Sequence, residues 1–330
     1  MTTTALLLAV LTALSVFSSC KKDDGEKSGG EAYEKDYTVI CSSFPQYDWL
    51  RVLLGERISK FDIGLLSGKG TDMHSYQPTA EDMKNIAAAD MFIYVGGVSE
   101  NWVDDVKKSV GAKKTDFVSM TEVLGASLRE EETALEAEHD GHDHDDEHDG
   151  HETEYDEHVW LSLKNAEKLT AYIASELVKL DPDGKETYEN NLKEYLLRLS
   201  ALDAEYKKAV SLAKRDTVIF ADRFPFLYLM KDYGIKYHAA FSGCSAESEA
   251  SFKTITALSR AADEIKTDTL LVTETSDGAV ADAVISGMTE KGCQKAVMNS
   301  MQSVTSADAA GETYLNVMTA NLESLKKALG

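Results

Sequence analysis

Short apolar runs alternate with polar, turn-rich stretches along most of the chain, and the spacing within each run indicates the element it builds. Tyr37-Thr38-Val39-Ile40-Cys41 is a compact run rich in β-prone residues and predicts a buried strand. Trp49, Leu50, Val52, Leu53 and Leu54 then recur at helical spacing, and Phe61-Asp62-Ile63-Gly64-Leu65 predicts a second strand. Thr79 followed at the third position by Asp82 is a capping signature, so a helix is expected over 79–88. Met91-Phe92-Ile93-Tyr94-Val95, ending at Gly96-Gly97, predicts another strand. Further on, Tyr188, Leu192, Tyr195, Leu199, Leu202, Tyr206 and Ala209 recur at alternating spacings of four and three, the stripe of one long helix. That helix is expected over 182–213, and some twenty-five residues would reach about 38 Å, enough to bridge two lobes. A plain core helix would show the same stripe. The strand–helix rhythm then resumes, with strands at Thr217-Val218-Ile219-Phe220-Ala221 and Thr269-Leu270-Leu271-Val272-Thr273. Helices are expected over 226–233, 252–265, 280–291 and 313–329. This alternation predicts an α/β fold with parallel sheets, divided into a lobe over 37–181, a joining helix over 182–213 and a second lobe over 214–330. A length of 330 residues fits two such units.

Two segments break the rhythm. Residues 1–19 carry the apolar run Ala5-Leu6-Leu7-Leu8-Ala9-Val10-Leu11-Thr12-Ala13-Leu14-Ser15-Val16-Phe17, too short to span a bilayer comfortably. Ser18-Ser19-Cys20 follows, then Lys21-Lys22-Asp23-Asp24. This reads as a bacterial lipoprotein leader, with Cys20 lipidated at the start of the mature chain and 20–36 as a Gly-, Ser-, Glu- and Lys-rich tether. No Lys or Arg precedes the apolar run, a departure from the usual leader. The other reading is an ordinary signal peptide with Cys20 as a free thiol. No other stretch is long and apolar enough to cross a membrane. The second interruption, 130–154, is acidic, has almost no apolar residue after Leu135, and holds His139, His142, His144, His148 and His151. It cannot bury enough apolar area to offset its ordering entropy and is expected to be a surface loop.

With 43% hydrophobic and 28% charged residues the composition is that of a globular protein. A formal net charge of −23 argues against nucleic acid as a partner, because its phosphates would be repelled. It suits cation binding, and equally plain solubility. Beyond Cys20, the cysteines Cys41, Cys244 and Cys293 lack CxxC spacing and cannot all pair. One disulfide is possible outside the cell, but structural thiols are the default reading.

Two strings carry candidate chemistry: Gly70-Thr71-Asp72-Met73-His74-Ser75-Tyr76-Gln77-Pro78-Thr79 and Asp156-Glu157-His158-Val159-Trp160-Leu161-Ser162. Each puts a histidine in a loop near the junction of α/β units, and open α/β sheets bind ligands beyond the carboxyl ends of their strands. Neutral imidazole is the commonest side-chain ligand for Zn2+ and also suits Mn2+ and Fe2+. A single loop histidine is more often polar surface. There is no HExxH string, GxSxG elbow or Walker loop, which counts against the main alternative of a secreted metallohydrolase.

Together the two strings resemble motifs of the metal-specific substrate-binding proteins of ABC transporters, the zinc- and manganese-binding group related to pneumococcal surface adhesins. That group shows Asp-Pro-His-x-Tyr-x-Pro-Thr and Asp-Pro-His-x-Trp-Leu-Ser; here Met73 and Glu157 stand where it has proline. Ala89-Asp90 through Gly97, with Glu100-Asn101-Trp102, and Tyr188 with Asn191 continue the likeness. The resemblance implies two α/β lobes, a rigid bridging helix, and a metal held between the lobes by His74 and His158. It implies capture of a divalent cation by a monomer, outside the cytoplasm, and delivery to an ABC permease in the membrane. The family's third ligand, histidine or glutamate, follows the strand after the bridging helix. Here that position aligns with Arg223, which cannot coordinate metal, so the neighbouring Asp222 is the substitute, with a helix N-cap as its rival role. The family's late carboxylate falls near Ser300-Met301-Gln302-Ser303, which has no acid, and Glu274 is the substitute from the same lobe, with a salt bridge or hydrogen bond to a neighbouring loop as its rival role. His238 and Cys244 are outside candidates. A site of two histidines and two carboxylates accepts Zn2+, Mn2+ or Fe2+. The His-rich loop favours Zn2+, since such loops accompany zinc-binding members. A manganese- or iron-binding homologue, or an adhesin in which the metal is structural, is the alternative.

Overall fold

Residues 35–68, 70–110, 115–131, 154–244 and 250–330 are described by a computed structural model of the chain. The leader, Cys20 and the five histidines between 139 and 151 lie outside the described residues.

Along the first lobe run β1 (Tyr37–Cys41), α1 (Phe44–Leu54), β2 (Phe61–Leu65), α2 (Ala80–Ala88), β3 (Met91–Tyr94), α3 (Val103–Ser109), β4 (Asp116–Ser119), α4 (Met120–Leu124) and α5 (Leu163–Leu180). After α6 (Lys185–Ser211), the second lobe has β5 (Thr217–Phe224), α7 (Leu227–Tyr233), β6 (Lys236–Ser242), α8 (Phe252–Glu264), β7 (Thr269–Thr273), α9 (Ala279–Gly287), β8 (Gln294–Met298), α10 (Ser306–Gly311) and α11 (Tyr314–Leu329). The two sheets are parallel and ordered alike, β2-β1-β3-β4 and β6-β5-β7-β8. In register, Val39 stands beside both Ile63 and Met91.

The strand sequences explain why both faces of each sheet are covered. Val39 and Cys41 point into one cluster with Met91 and Ile93, while Ile40 points into another with Phe92 and Tyr94. The second lobe repeats this: Val218 and Phe220 face one cluster, Ile219 and Ala221 the other. Strands buried on both faces carry apolar runs without alternation, as Val39-Ile40-Cys41, Met91-Phe92-Ile93-Tyr94, Val218-Ile219-Phe220-Ala221 and Leu270-Leu271-Val272 do. The inner faces of both sheets belong to the same continuous core.

Helix α6 runs through that core. Its 27 residues span about 40 Å, and Tyr188, Tyr195, Leu199, Leu202 and Tyr206 are buried, with Leu192 and Ala209 partly buried against the core. At its first-lobe end Tyr188 Oη donates to Asp181 Oδ2 at 2.6 Å, and Asn191 Nδ2 donates to the Leu53 carbonyl at 2.9 Å. At the other end Tyr206 Oη donates to the Met318 carbonyl at 2.6 Å, and its ring stacks on Tyr233 with centroids 5.1 Å apart. The expected stripe thus belongs to a bridge between lobes. Further bonds cross the same seam. Tyr314 N donates to Asp48 Oδ2 at 2.9 Å, and Arg51 Nη1 donates to the Ala309 carbonyl at 2.7 Å. Among the described residues no helix is long and apolar enough to cross a membrane.

The expected strand at Thr217 continues past Ala221 to Phe224, because a bulge between Phe220 and Arg223 lets Arg223 and Phe224 pair with Phe241 and Ser242 of β6. Asp222 therefore lies within a strand and caps no helix.

Candidate metal centre

The histidine loops are built by local hydrogen bonds. Asp72 Oδ1 accepts the His74 N–H at 3.0 Å and starts a single 3-10 turn over Met73–Ser75. Met73, where the related motif has proline, is buried and anchors that turn. Thr79 and Asp82 then exchange cap bonds, Asp82 N to Thr79 Oγ1 at 3.1 Å and Thr79 N to Asp82 Oδ2 at 2.8 Å, which fixes the start of α2. In the second string Asp156 Oδ1 accepts the His158 N–H at 2.8 Å, and Val159, Trp160 and Leu161 are fully buried.

The result is a pair of imidazoles facing each other. Nε2 of His74 and Nε2 of His158 are 3.0 Å apart, with ring centroids at 5.0 Å. Each ring is held from behind at Nδ1. His158 Nδ1 lies 3.0 Å from Asp156 Oδ1, and His74 Nδ1 lies 2.7 Å from Ser99 Oγ and 3.5 Å from Glu157 Oε2. A carboxylate behind an imidazole fixes the tautomer that leaves Nε2 as a free lone pair and makes it a better donor to metal. Asp156 thus serves His158, while Ser99 serves His74 with the Glu157 carboxylate close by. Glu157 Oε1 is held by the Ser99 N–H at 2.9 Å, whereas its Oε2 accepts no hydrogen bond among the described residues. Burial raises the Glu157 carboxyl above its ordinary range. The side chain lies against Gly97, where a Cβ would collide with its carboxylate and where φ is +97°.

Burial pulls His74 well below the usual imidazole range, and the charges of His158 and Arg223 add to that effect against Asp72. The ring therefore stays neutral, the state that binds metal. The third member of the group is Cys244. The ligand atoms of His74, His158 and Cys244 all lie within 4.8 Å of one another, the one such group of histidine, cysteine and carboxylate side chains among the described residues. Burial, with Glu131, Asp156 and Glu157 nearby, pushes the Cys244 thiol above its ordinary range. Its backbone N–H donates to Glu131 Oε1 at 3.1 Å, and Glu131 N in turn donates to the Glu154 carbonyl at 3.0 Å. Glu131 thus bonds both to Glu154 and to Cys244. Gln302 closes the group: its Nε2 is 3.2 Å from His74 Nε2 and also contacts His158 Nε2.

The two expected carboxylates are not drawn into this cluster. Asp222 Oδ2 accepts from Thr273 N at 3.0 Å and Thr273 Oγ1 at 2.7 Å, tying β5 to the end of β7. Glu274 accepts from Ser300 N at 2.8 Å and Ser300 Oγ at 2.7 Å, its expected rival role as a partner for a neighbouring loop. Arg223 reaches across to Asp72, Nη2 to Oδ2 at 3.0 Å. His238 lies within β6, outside the group. Cys41, Cys244 and Cys293 are all free thiols.

Two like α/β lobes on one bridging helix, with paired histidines at the loops between them, define the architecture of a two-lobed binding protein. The chain belongs to the family described as ZnuA, zinc-uptake complex component A, periplasmic, whose profile matches residues 39–328. The zinc-binding lipoprotein AdcA of Streptococcus pneumoniae is 32% identical over 327 residues, covering 98% of this chain and 60% of that protein. The high-affinity zinc uptake system protein ZnuA of Bacillus subtilis is 31% identical over 323 residues, covering 98% of this chain and 97% of that one. Among solved structures, the Zn(II)-bound ZnuA-like domain of pneumococcal AdcA superposes with a TM-score of 0.68 at 29% identity, over 89% of this chain and 99% of that one. The chain thus spans about 60% of the length of the pneumococcal relative.

Asp222→Ala separates a ligand from a strand tie. It leaves the backbone N–H and hydroxyl of Thr273 unpaired, so stability falls by about 1–3 kcal/mol while zinc affinity stays unchanged. Urea melts of the metal-free protein beside calorimetric zinc titrations measure both, and a large affinity loss would return Asp222 to the site.

Proposed function

We propose that this protein captures Zn2+ outside the cytoplasm, in the cleft between its lobes, and delivers it to an ABC-type permease in the membrane. The observation that carries this reading is the pair of Nε2 atoms at 3.0 Å, each ring backed at Nδ1. The family match and the zinc-binding names of the relatives support Zn2+ over Mn2+ or Fe2+. The role is that of a carrier, with the metal as cargo and no bond made or broken in a substrate. His74 and His158 are the core ligands. His74→Ala and His158→Ala each lower zinc affinity by more than about 100-fold, beyond the loss typical of an outer partner, and leave the metal-free fold intact. Equilibrium dialysis of either variant with affinity within a few-fold of the parent would overturn the assignment.

The leader and the His-rich segment enter on sequence, supported by the lipoprotein names among the relatives. Cys20 is the lipidated residue, and Cys20→Ala moves the protein from the membrane fraction to the medium or leaves it unprocessed. A mature-length species still in the membrane fraction would contradict this. His139, His142, His144, His148 and His151 form a secondary, weaker zinc store. Deleting residues 138–152 removes the weaker equivalents from a zinc titration and keeps the tight one; loss of the tight site with the deletion would move the core away from His74 and His158.

A further inference from the structure

The sheets share one strand order, so β2 corresponds to β6 and β4 to β8, and these are the edge strands of their sheets. His74 lies in the loop after β2, and His158 between α4 and α5, in the segment that follows β4. Cys244 comes two residues after β6, and Gln302 four residues after β8. Each lobe thus contributes two side chains to the group: His74, Cys244 and Gln302 come from loops that follow β2, β6 and β8, where open α/β sheets bind ligands, and His158 from the turn that precedes α5.

We propose that Cys244, as a thiolate, and Gln302, through its amide oxygen, complete the coordination begun by His74 and His158, giving a two-histidine, cysteine and glutamine site selective for thiophilic cations such as Zn2+ over Mn2+. The inference rests on the zinc-capture reading of the same cleft. Donors about 2.0–2.3 Å from one tetrahedral ion stand about 3.3–3.8 Å apart. The observed spread, from 3.0 Å between the imidazoles to an outer limit of 4.8 Å, needs only small side-chain shifts to reach that geometry.

Three features build the site. At Gly243 a Cβ would stand 3.0 Å from His158 Cε1 and 2.8 Å from the Phe224 carbonyl oxygen, so glycine lets the chain bring Cys244 this close. Gln302 is aimed by a held turn: Ser300 is bonded through N and Oγ to Glu274, Trp160 Nε1 donates to the Ser300 carbonyl at 2.9 Å, and buried Met301 takes a φ of +63°. That conformation is rare for a residue with a side chain and persists where the surroundings enforce it. The end of β5 supplies no donor, since Arg223 is a cation paired with Asp72 and Asp222 is bonded to Thr273. Without metal, the Gln302 amide N–H groups can donate to both imidazole lone pairs. A half-turn of the amide then presents Oε1 to the ion. As the metal–sulfur bond forms, the thiol proton passes to solvent, so one proton is released for each cation bound. Thiolate is a soft donor and amide oxygen an uncharged one, which favours Zn2+ over Mn2+.

Cobalt(II) is the probe, titrated into the full chain. The parent shows a near-ultraviolet thiolate-to-cobalt charge-transfer band that Zn2+ abolishes and Mn2+ does not. Cys244→Ser loses the band, keeps cobalt bound, and narrows the zinc-over-manganese preference by about tenfold or more; Cys41→Ser and Cys293→Ser keep the band. In the parent, zinc also protects Cys244 from iodoacetamide. Gln302→Glu raises Mn2+ affinity relative to the parent. Cobalt binding that depends on His74 and His158 but shows no charge-transfer band, or a band that survives Cys244→Ser, overturns the proposal and leaves the zinc-capture reading standing. Cobalt and zinc binding indifferent to His74→Ala and His158→Ala overturns both.

Discussion

Two imidazole nitrogens turned toward each other at 3.0 Å form an arrangement that is unfavourable unless a proton donor or a cation lies between their lone pairs. Much of the surrounding structure sustains it. Asp156, Ser99 and Glu157 hold the rings from behind, and the cap bonds of Asp72 and Asp156 fix the backbones that carry them. Burial then keeps His74 neutral. In the absence of metal the Gln302 amide is the group that meets both lone pairs. Under the zinc-capture proposal, donors so prepared need little reorganisation on binding, which is how preorganised donors gain affinity.

The repeated lobe explains why the donors converge. Two parallel sheets of the same order have two sets of loops at their carboxyl ends, and a single helix buried along one side holds those ends opposite each other. The aromatic residues of α6 fasten it at both ends, Tyr188 to Asp181 and Tyr206 to Met318. Sequence change in the cleft loops therefore acts on chemistry, while the seam beneath it keeps the geometry.

How much of this was legible in the chain depended on burial. The central strands β1, β3, β5 and β7, covered on both faces, stand out as apolar runs, and the stripe of α6 shows through its spacing. The edge strand β2 is legible too, but the edge strands β6 and β8 of the second lobe are not. β6 begins Lys236-Tyr237-His238 before its buried Ala239-Ala240-Phe241, and β8 is Gln-Lys-Ala-Val-Met with only Ala296 and Met298 buried. These are the strands that lead to Cys244 and Gln302, so hydrophobic pattern alone does not place either residue: Cys244 stands in the sequence only as an outside candidate, and Gln302 carries no signal. His74 and His158 were found because their strings resemble a family. Asp222 and Glu274 were expected at the site because carboxylates are usual metal ligands, but each is closer to a hydrogen-bond donor of its own lobe, Thr273 or Ser300. Gln302 sits at the position where an acid was sought, and an amide was not counted as a ligand. Glu157 reads in the sequence only as a replaced proline, and its place beside His74 and Ser99 follows from the fold, since those two residues come from different loops.

Arg223 gives the cleft a mechanical property. Its guanidinium grips one oxygen of Asp72 while the other oxygen holds the His74 backbone N–H. The second lobe is thereby tied through a single carboxylate to the turn that carries His74 in the first. Drawing Arg223 away from the first lobe would therefore break a bond on the same carboxylate that holds the His74 turn, so the spacing of the lobes and the setting of that turn meet in Asp72.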